Sequence, residues 1–438
     1  MDSTGGPHLH RLVPIVLVLL LSGSPLLAQR AAPADSATIG RWREDLAYLR
    51  TAMPAHHGNL FHAMTRAQFD SALSAIEQRL PTAARNQVIV ELERLAALVG
   101  DGHTNVSPWR DTAIAFHTLP VAFYWFDDGF AIRAATREHA DLLGSRVLDI
   151  GGVPIDSAVA RVRPLIGRDN EMAVRAWAPV LLAMPEVLQA VGLAAEPGHV
   201  TLLVAGNGGR RAVALEPAGL FPMATGETDR SWMRRDGWVD ARDGAPTPLW
   251  LSDPTDTYWY RYLPESRTLY CQLNAILQNP QDSLAAFLAR AVATADSAGA
   301  ERLVLDLRLN GGGNGQWNRD ILRALIKSRY DAPGRLLVIT GRRTWSAAGM
   351  LISDIENFTD AVFVGEPSAA RGNGYGDSQR LVLPNSHVTV RVSTLYWQFW
   401  DPRDTRPWID PTVRTSLTLA DYRAGRDPAL AAAVAYPR

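Results

Sequence analysis

The chain has 438 residues, of which 47% are hydrophobic, 8% aromatic and 20% charged. That apolar content offsets ordering entropy over two or three domains, which excludes disorder as the main state. A net charge of −1 argues against a dedicated nucleic-acid or anionic-membrane binder, and the single cysteine, Cys271, excludes an intramolecular disulfide or a cysteine-built zinc site.

Residues 1–28 read as an export signal. Arg11 precedes the apolar run Leu12 to Leu21, and the breakers Ser22, Gly23, Ser24 and Pro25 lead to small Ala28. The run is too short to span a bilayer, which takes roughly 20 residues. The expectation is a periplasmic or secreted protein with no stable membrane span after cleavage.

Residues 29–100 are expected to form a helical N-terminal domain. Trp42, Leu46 and Leu49, then Phe69, Leu73, Ile76 and Leu80, then Val88, Leu92, Leu95 and Leu98 recur at helical spacing, punctuated by Pro54 and Pro81. Residues 101–265 read as a mixed β module. Val121–Phe126 and Gly129–Ile132 form a hairpin across Asp127-Asp128, Val147–Ile155 is a strand, glycine turn and strand, and a helical stretch occupies about 155–192. A second hairpin turns at Gly206-Asn207-Gly208-Gly209, and 222–257 is a long connection.

Residues 266–438 alternate strand and helix. Strands Leu269–Ile276, Leu303–Leu309, Leu336–Thr340 and Ala361–Val364 are predominantly apolar, which predicts an α/β fold with a parallel sheet covered by helices. Ligands of such sheets bind beyond the carboxyl ends of the strands, at Asn310–Gly315, Gly341–Ser346 and Gly365–Gly376.

Asn310-Gly311-Gly312-Gly313-Asn314-Gly315 follows a buried strand and precedes a helix. It lacks the Gly-Lys-Ser/Thr ending of a phosphate loop, which leaves a tight turn or a loop aiming amides at developing negative charge. Ser346, in Thr344-Trp345-Ser346-Ala347-Ala348-Gly349, is either a helix cap or a nucleophile at a helix N-terminus. A nucleophilic serine needs a base. Lys327 is the only lysine and sits where a cation suits a helix end. His103, in Asp101-Gly102-His103-Thr104, is the better placed base, whereas His56, His57 and His62 lack the carboxylate spacing of a metal site. Glu366, Asp401, Asp404 and Asp410 can orient the imidazole or pair with Arg371, Arg403 or Arg406.

Together these segments resemble the tail-specific (C-terminal processing) serine proteases, and more closely the branch containing the tricorn core protease and the retinoid-binding repeats. The matching stretches are Asp101–Thr104, Leu305–Gly313, Arg343–Ala348, Val364–Ser368 and Gly425–Pro428, in the family's order over roughly residues 40–430. The resemblance implies a crotonase-like catalytic core, preceded by a helical N-terminal domain and a PDZ-like module, here interrupted by the helical insertion. The processing-protease branch places a lysine 25 residues after the serine; here that residue is Arg371, whose guanidinium cannot act as a base. The tricorn-like branch implies Ser346 as nucleophile, His103 as base and Asp404 as the acid, with Glu366 in reserve. The Ala347 amide and a glycine of the loop, Gly311 or Gly312, are the expected oxyanion donors. No metal or cofactor is required, and the implied partner is a peptide or protein substrate. Two alternatives on the same scaffold are a carrier of hydrophobic ligands and a peptide-binding scaffold that does not cut.

Overall fold

The computed structural model describes Met1 and residues 35–111, 113–206, 208–220, 232 and 234–437; beyond Met1, the export signal read at 1–28 lies outside the described residues. Three helices, Ser36–His56, Arg66–Arg79 and Arg85–Ala97, follow the apolar periodicity. The first is capped by the Asp35 carboxylate, which accepts the Thr38 N–H at 2.6 Å, and the second by a Thr65–Gln68 capping box. Pro54 lies inside the last turn of the first helix rather than ending it. Leu49, Met53 and Phe69 are fully buried between the helices, each worth about 2 kcal/mol of transfer free energy.

An antiparallel sheet follows. Its central order is Val121–Phe126, Gly129–Thr136, Arg146–Ile150, Val200–Gly206 and Gly209–Leu215, with Val153–Pro154 paired to Arg146–Ile150 and Trp238–Asp240 to Gly129–Thr136. Both expected hairpins are present, with Phe126 opposite Gly129 and Gly206 opposite Gly209. The insertion consists of helices Ile155–Val162, Glu171–Leu181 and Pro185–Ala190. This sheet and the N-terminal helices share one apolar core, so the boundary expected at residue 100 falls within a packed unit.

The second sheet has six strands in the order Val413–Arg414, Val362–Gly365, Leu336–Thr340, Arg302–Asp306, Thr268–Leu273, Tyr258–Leu263. All neighbours are parallel except the last pair, a hairpin. The sheet therefore begins at Tyr258, within the stretch assigned above to the preceding module. Helices Leu284–Ser297, Asn318–Ile326 and Ala347–Phe358 pack on one face over Leu305 and Val338, and Pro428–Ala435 covers Val304, Leu337 and Ile339 on the other. Burial on both faces is the physical reason that these strands are predominantly apolar.

A third, three-stranded antiparallel sheet joins Asn105–Val106 to the hairpin Asn373–Val382/Thr389–Gln398. This hairpin was not anticipated. It leaves the parallel sheet and buries Leu381, Val390 and Val392 in the core of the N-terminal helices, which brings the segment around His103 against the loops at the carboxyl ends of the parallel strands. Among the described residues, no helix is long and apolar enough to cross a membrane.

Candidate active site

His103 is held by the turn that carries it. The Asp101 carboxylate accepts the backbone N–H groups of His103 (2.9 Å) and Thr104 (2.7 Å) and the Ser393 hydroxyl (2.7 Å), while its other oxygen faces His57 Nε2 at 3.0 Å. His57 Nδ1 accepts the Asn59 N–H, so Nε2 carries the proton donated to Asp101. Burial pushes the Asp101 carboxyl up, but these hydrogen bonds outweigh it and the group lies below the ordinary carboxylate range.

Ser346 sits where strand Leu336–Thr340 passes through a short loop into helix Ala347–Phe358. Its backbone is left-handed, φ 55° and ψ −126°, an unfavourable conformation for serine. The loop is anchored on both sides: the Trp345 N–H donates to Asn310 O (3.1 Å), the Thr344 hydroxyl to Leu307 O (2.8 Å), and Asn318 Nδ2 to Ala347 O (2.8 Å). Ser346 Oγ lies 2.9 Å from His103 Nε2.

The His103 ring is stacked on Trp345, with centroids 3.9 Å apart and planes 24° from parallel. Burial lowers its pKa, and the charges of Asp169, Asp101 and Asp377 push it back up. His103 Nδ1 is buried and has no partner among the described residues.

Gly312 explains the glycine loop. A Cβ there would lie 2.6 Å from Ser346 Cβ and 3.1 Å from both Ser346 Oγ and the Ala347 N, at a φ of +117° that side chains rarely adopt. The missing side chain leaves room for an atom in front of the serine and the helix N-terminus. The Gly312 N–H itself donates to Asn310 Oδ1 at 3.0 Å, so this residue supplies space rather than the donor expected of it. The amides of Gly311 and Ala347 are uncommitted among the described residues.

Neither carboxylate expected to complete a triad contacts His103. Glu366 is nearly buried and forms a two-pronged ion pair with Arg342 (Nε to Oε2 2.9 Å), whose charge holds its carboxyl low against the opposing effect of burial. Asp404 accepts from Arg406 Nε at 2.9 Å on the surface, where Arg406 also reaches Glu356. Both have nearer guanidinium partners, a competition that the sequence left open. Lys327 is exposed at the end of helix Asn318–Ile326, and Arg371 is exposed as well. Asp169, Ser393 and the Tyr375–Gly376 backbone form the rest of the surroundings. They were missed because each lies in a different segment with no local motif; only the alternation of Val390 and Val392 hinted at a strand near Ser393. Among the described residues, no group of three or more His, Cys, Asp or Glu side chains is arranged to hold a metal ion.

No protein-family model and no curated protein matches the sequence. Solved structures do. Mature CPAF complexed with lactacystin aligns over 89% of this chain and 96% of that one, at 14% identity and a TM-score of 0.64. Another structure of mature CPAF aligns over 89% and 95%, at 13% identity and 0.62. The photosystem II D1 C-terminal processing protease aligns more loosely, over 90% and 99%, at 12% identity and 0.39. The chain thus has the fold of mature CPAF.

Proposed function

We propose that this chain is an exported serine peptidase that cleaves peptide bonds through an acyl-enzyme on Ser346. The observation that carries it is the 2.9 Å contact between Ser346 Oγ and His103 Nε2 at a strained helix N-terminus. Nε2 takes the hydroxyl proton as Oγ attacks the scissile carbonyl, and returns it to the leaving amine; water then releases the acyl group by the same base. The carbonyl oxygen, as it becomes an oxyanion, occupies the space that Gly312 leaves beside the Ala347 N–H. Ala347 and Gly311 are the candidate donors, each worth about 3 kcal/mol. The imidazolium formed midway is favoured by Asp169, Asp101 and Asp377. The leader-like residues 1–28 support export, and the parallel sheet and interrupted β module support the crotonase-like and PDZ-like assignments. The test is mass spectrometry of a peptide library incubated with the mature protein: new termini that vanish with Ser346→Ala support a peptidase, and an unchanged library opposes it.

A second function, carriage of hydrophobic ligands, is favoured by one observation. A cavity of about 400 Å³ at the carboxyl ends of the parallel strands is lined by Trp109, Tyr124, Trp177, Trp232 and Trp250, with arginines such as Arg133, Arg308 and Arg342 among the same walls. A carrier keeps its full activity in Ser346→Ala; a peptidase does not.

A further inference from the structure

Gly102 and Trp345, the residues that immediately precede His103 and Ser346, are held by one side chain. Asp169 Oδ1 accepts the Gly102 N–H at 3.0 Å, and its Oδ2 accepts the Trp345 Nε1–H at 2.9 Å. Trp345 in turn stacks on the His103 ring. The fit leaves no slack. A Cβ on Gly102 would lie 2.9 Å from Trp345 Cζ2, and one on Gly167, two residues before Asp169, would lie 2.8 Å from Thr104 O. On the other side of this turn, Asn170 Nδ2 donates to the carbonyls of Ser368, Ala370 and Pro407, which ties the turn to the loops near the serine.

We propose that Asp169 is the positioning residue of the Ser–His pair, clamping the base-bearing turn to the nucleophile-bearing loop and setting a negative charge beside the imidazole. This rests on the assignment of Ser346 and His103 as nucleophile and base. Three carboxylates bear on His103. Of these, Asp169 exerts the largest pull, ahead of Asp101 and Asp377; burial pushes its own carboxyl up, opposed by His103 and by the Trp345 and Gly102 N–H donors. Asp101 is further engaged by His57, Ser393 and Thr104, and Asp377 by the Trp397 indole N–H. Asp169 has both oxygens accepting, which a carboxylate does and an asparagine cannot: its Nδ2 would face a donor, and either Gly102 or Trp345 would lose its acceptor.

The test titrates His103 by NMR in the full mature chain carrying ¹³C-labelled histidine, with His103→Ala identifying the resonance. In Asp169→Asn the His103 midpoint is expected to fall by about one pH unit, because a nearby negative charge is lost. In Trp345→Phe, which keeps the stack and the carboxylate but deletes one donor, the midpoint should move by only a few tenths of a unit. The rate at which a fluorophosphonate modifies Ser346 should fall about tenfold, because the tie to the serine loop is gone. A folded Asp169→Asn with the wild-type midpoint would overturn the proposal, as would Trp345→Phe that reacts at the wild-type rate; the second arm decides if Asp169→Asn does not fold. The two levels fail separately. A wild-type Ser346 that never reacts defeats the peptidase assignment, while the titration still decides whether Asp169 governs the ring.

Discussion

Ser346 Oγ and His103 Nε2 lie 2.9 Å apart although 243 positions separate them in the chain. The contact is made by the hairpin Asn373–Val382/Thr389–Gln398, which pairs with Asn105–Val106 and so sets the turn Asp101–Thr104 against the loop leading into helix Ala347–Phe358. Removing either side chain should lower kcat/KM by about 10⁴-fold or more, and the double variant should be little worse than either single one, because the two act as a unit. Peptide-cleavage kinetics of Ser346→Ala, His103→Ala and the pair check this.

The pH profile follows from the surroundings of His103. Burial disfavours the imidazolium more than Asp169, Asp101 and Asp377 favour it, so the folded pKa lies below the ordinary histidine value of about 6.5. The base must be neutral to act. Activity should therefore persist below that pH and fall only on further acidification. The acid limb of kcat/KM against pH measures the midpoint; a limb above 6.5 would contradict the ordering of these effects.

Gly312→Ala should remove activity without removing the nucleophile. The new Cβ would press on Ser346 Cβ and fill the space before the Ala347 amide, at a φ of +117°. A loss of about 10²-fold or more in kcat is expected, with about 2 kcal/mol of stability lost to backbone strain. Urea unfolding beside steady-state kinetics separates the two effects.

The two carboxylates singled out for a triad should behave as structural groups. Glu366→Gln breaks a buried ion pair with Arg342 and should cost about 3 kcal/mol of stability while leaving the acid limb of the pH profile in place. Asp404→Asn touches only Arg406 at the surface and should leave kcat/KM within about twofold of wild type. A shifted His103 midpoint in either variant would restore it as the partner of the imidazole.

Cys271 lies inside strand Thr268–Leu273, where burial pushes its thiol up to about 12. It should resist iodoacetamide in the folded protein and react once the protein is unfolded in urea, with no loss of activity on thiol treatment of the native state. Mass spectrometry of the alkylated chain reads both.

Much of this was legible in the sequence because it is local. The apolar runs Leu303–Leu305 and Leu336–Ile339 declare their strands, and the glycine loop and Ser346 follow beyond their carboxyl ends. The helical insertion and both hairpins of the antiparallel sheet follow from periodicity and turn residues. What could not be read is pairing at a distance. Asp404 and Glu366 sit in motif-like positions, but a guanidinium two residues on, or on the adjoining strand end, claims each of them. Asp169 lies in an unremarkable turn before a helix, and its importance arises only when Gly102 and Trp345 are brought to its two oxygens. Tyr258–Leu263, which follows the connection 222–257, does not announce itself as part of the parallel sheet, because its aromatics and Arg261 suit a half-exposed edge strand rather than a buried one.

The central claim is that His103 activates Ser346. Treating the mature protein with a fluorophosphonate and locating the adduct by mass spectrometry tests it most directly, beside Ser346→Ala and His103→Ala. The account predicts a single adduct on Ser346 in the wild type and none in either variant. A folded wild type that takes no adduct, or a His103→Ala variant labelled as fast as wild type, would contradict it.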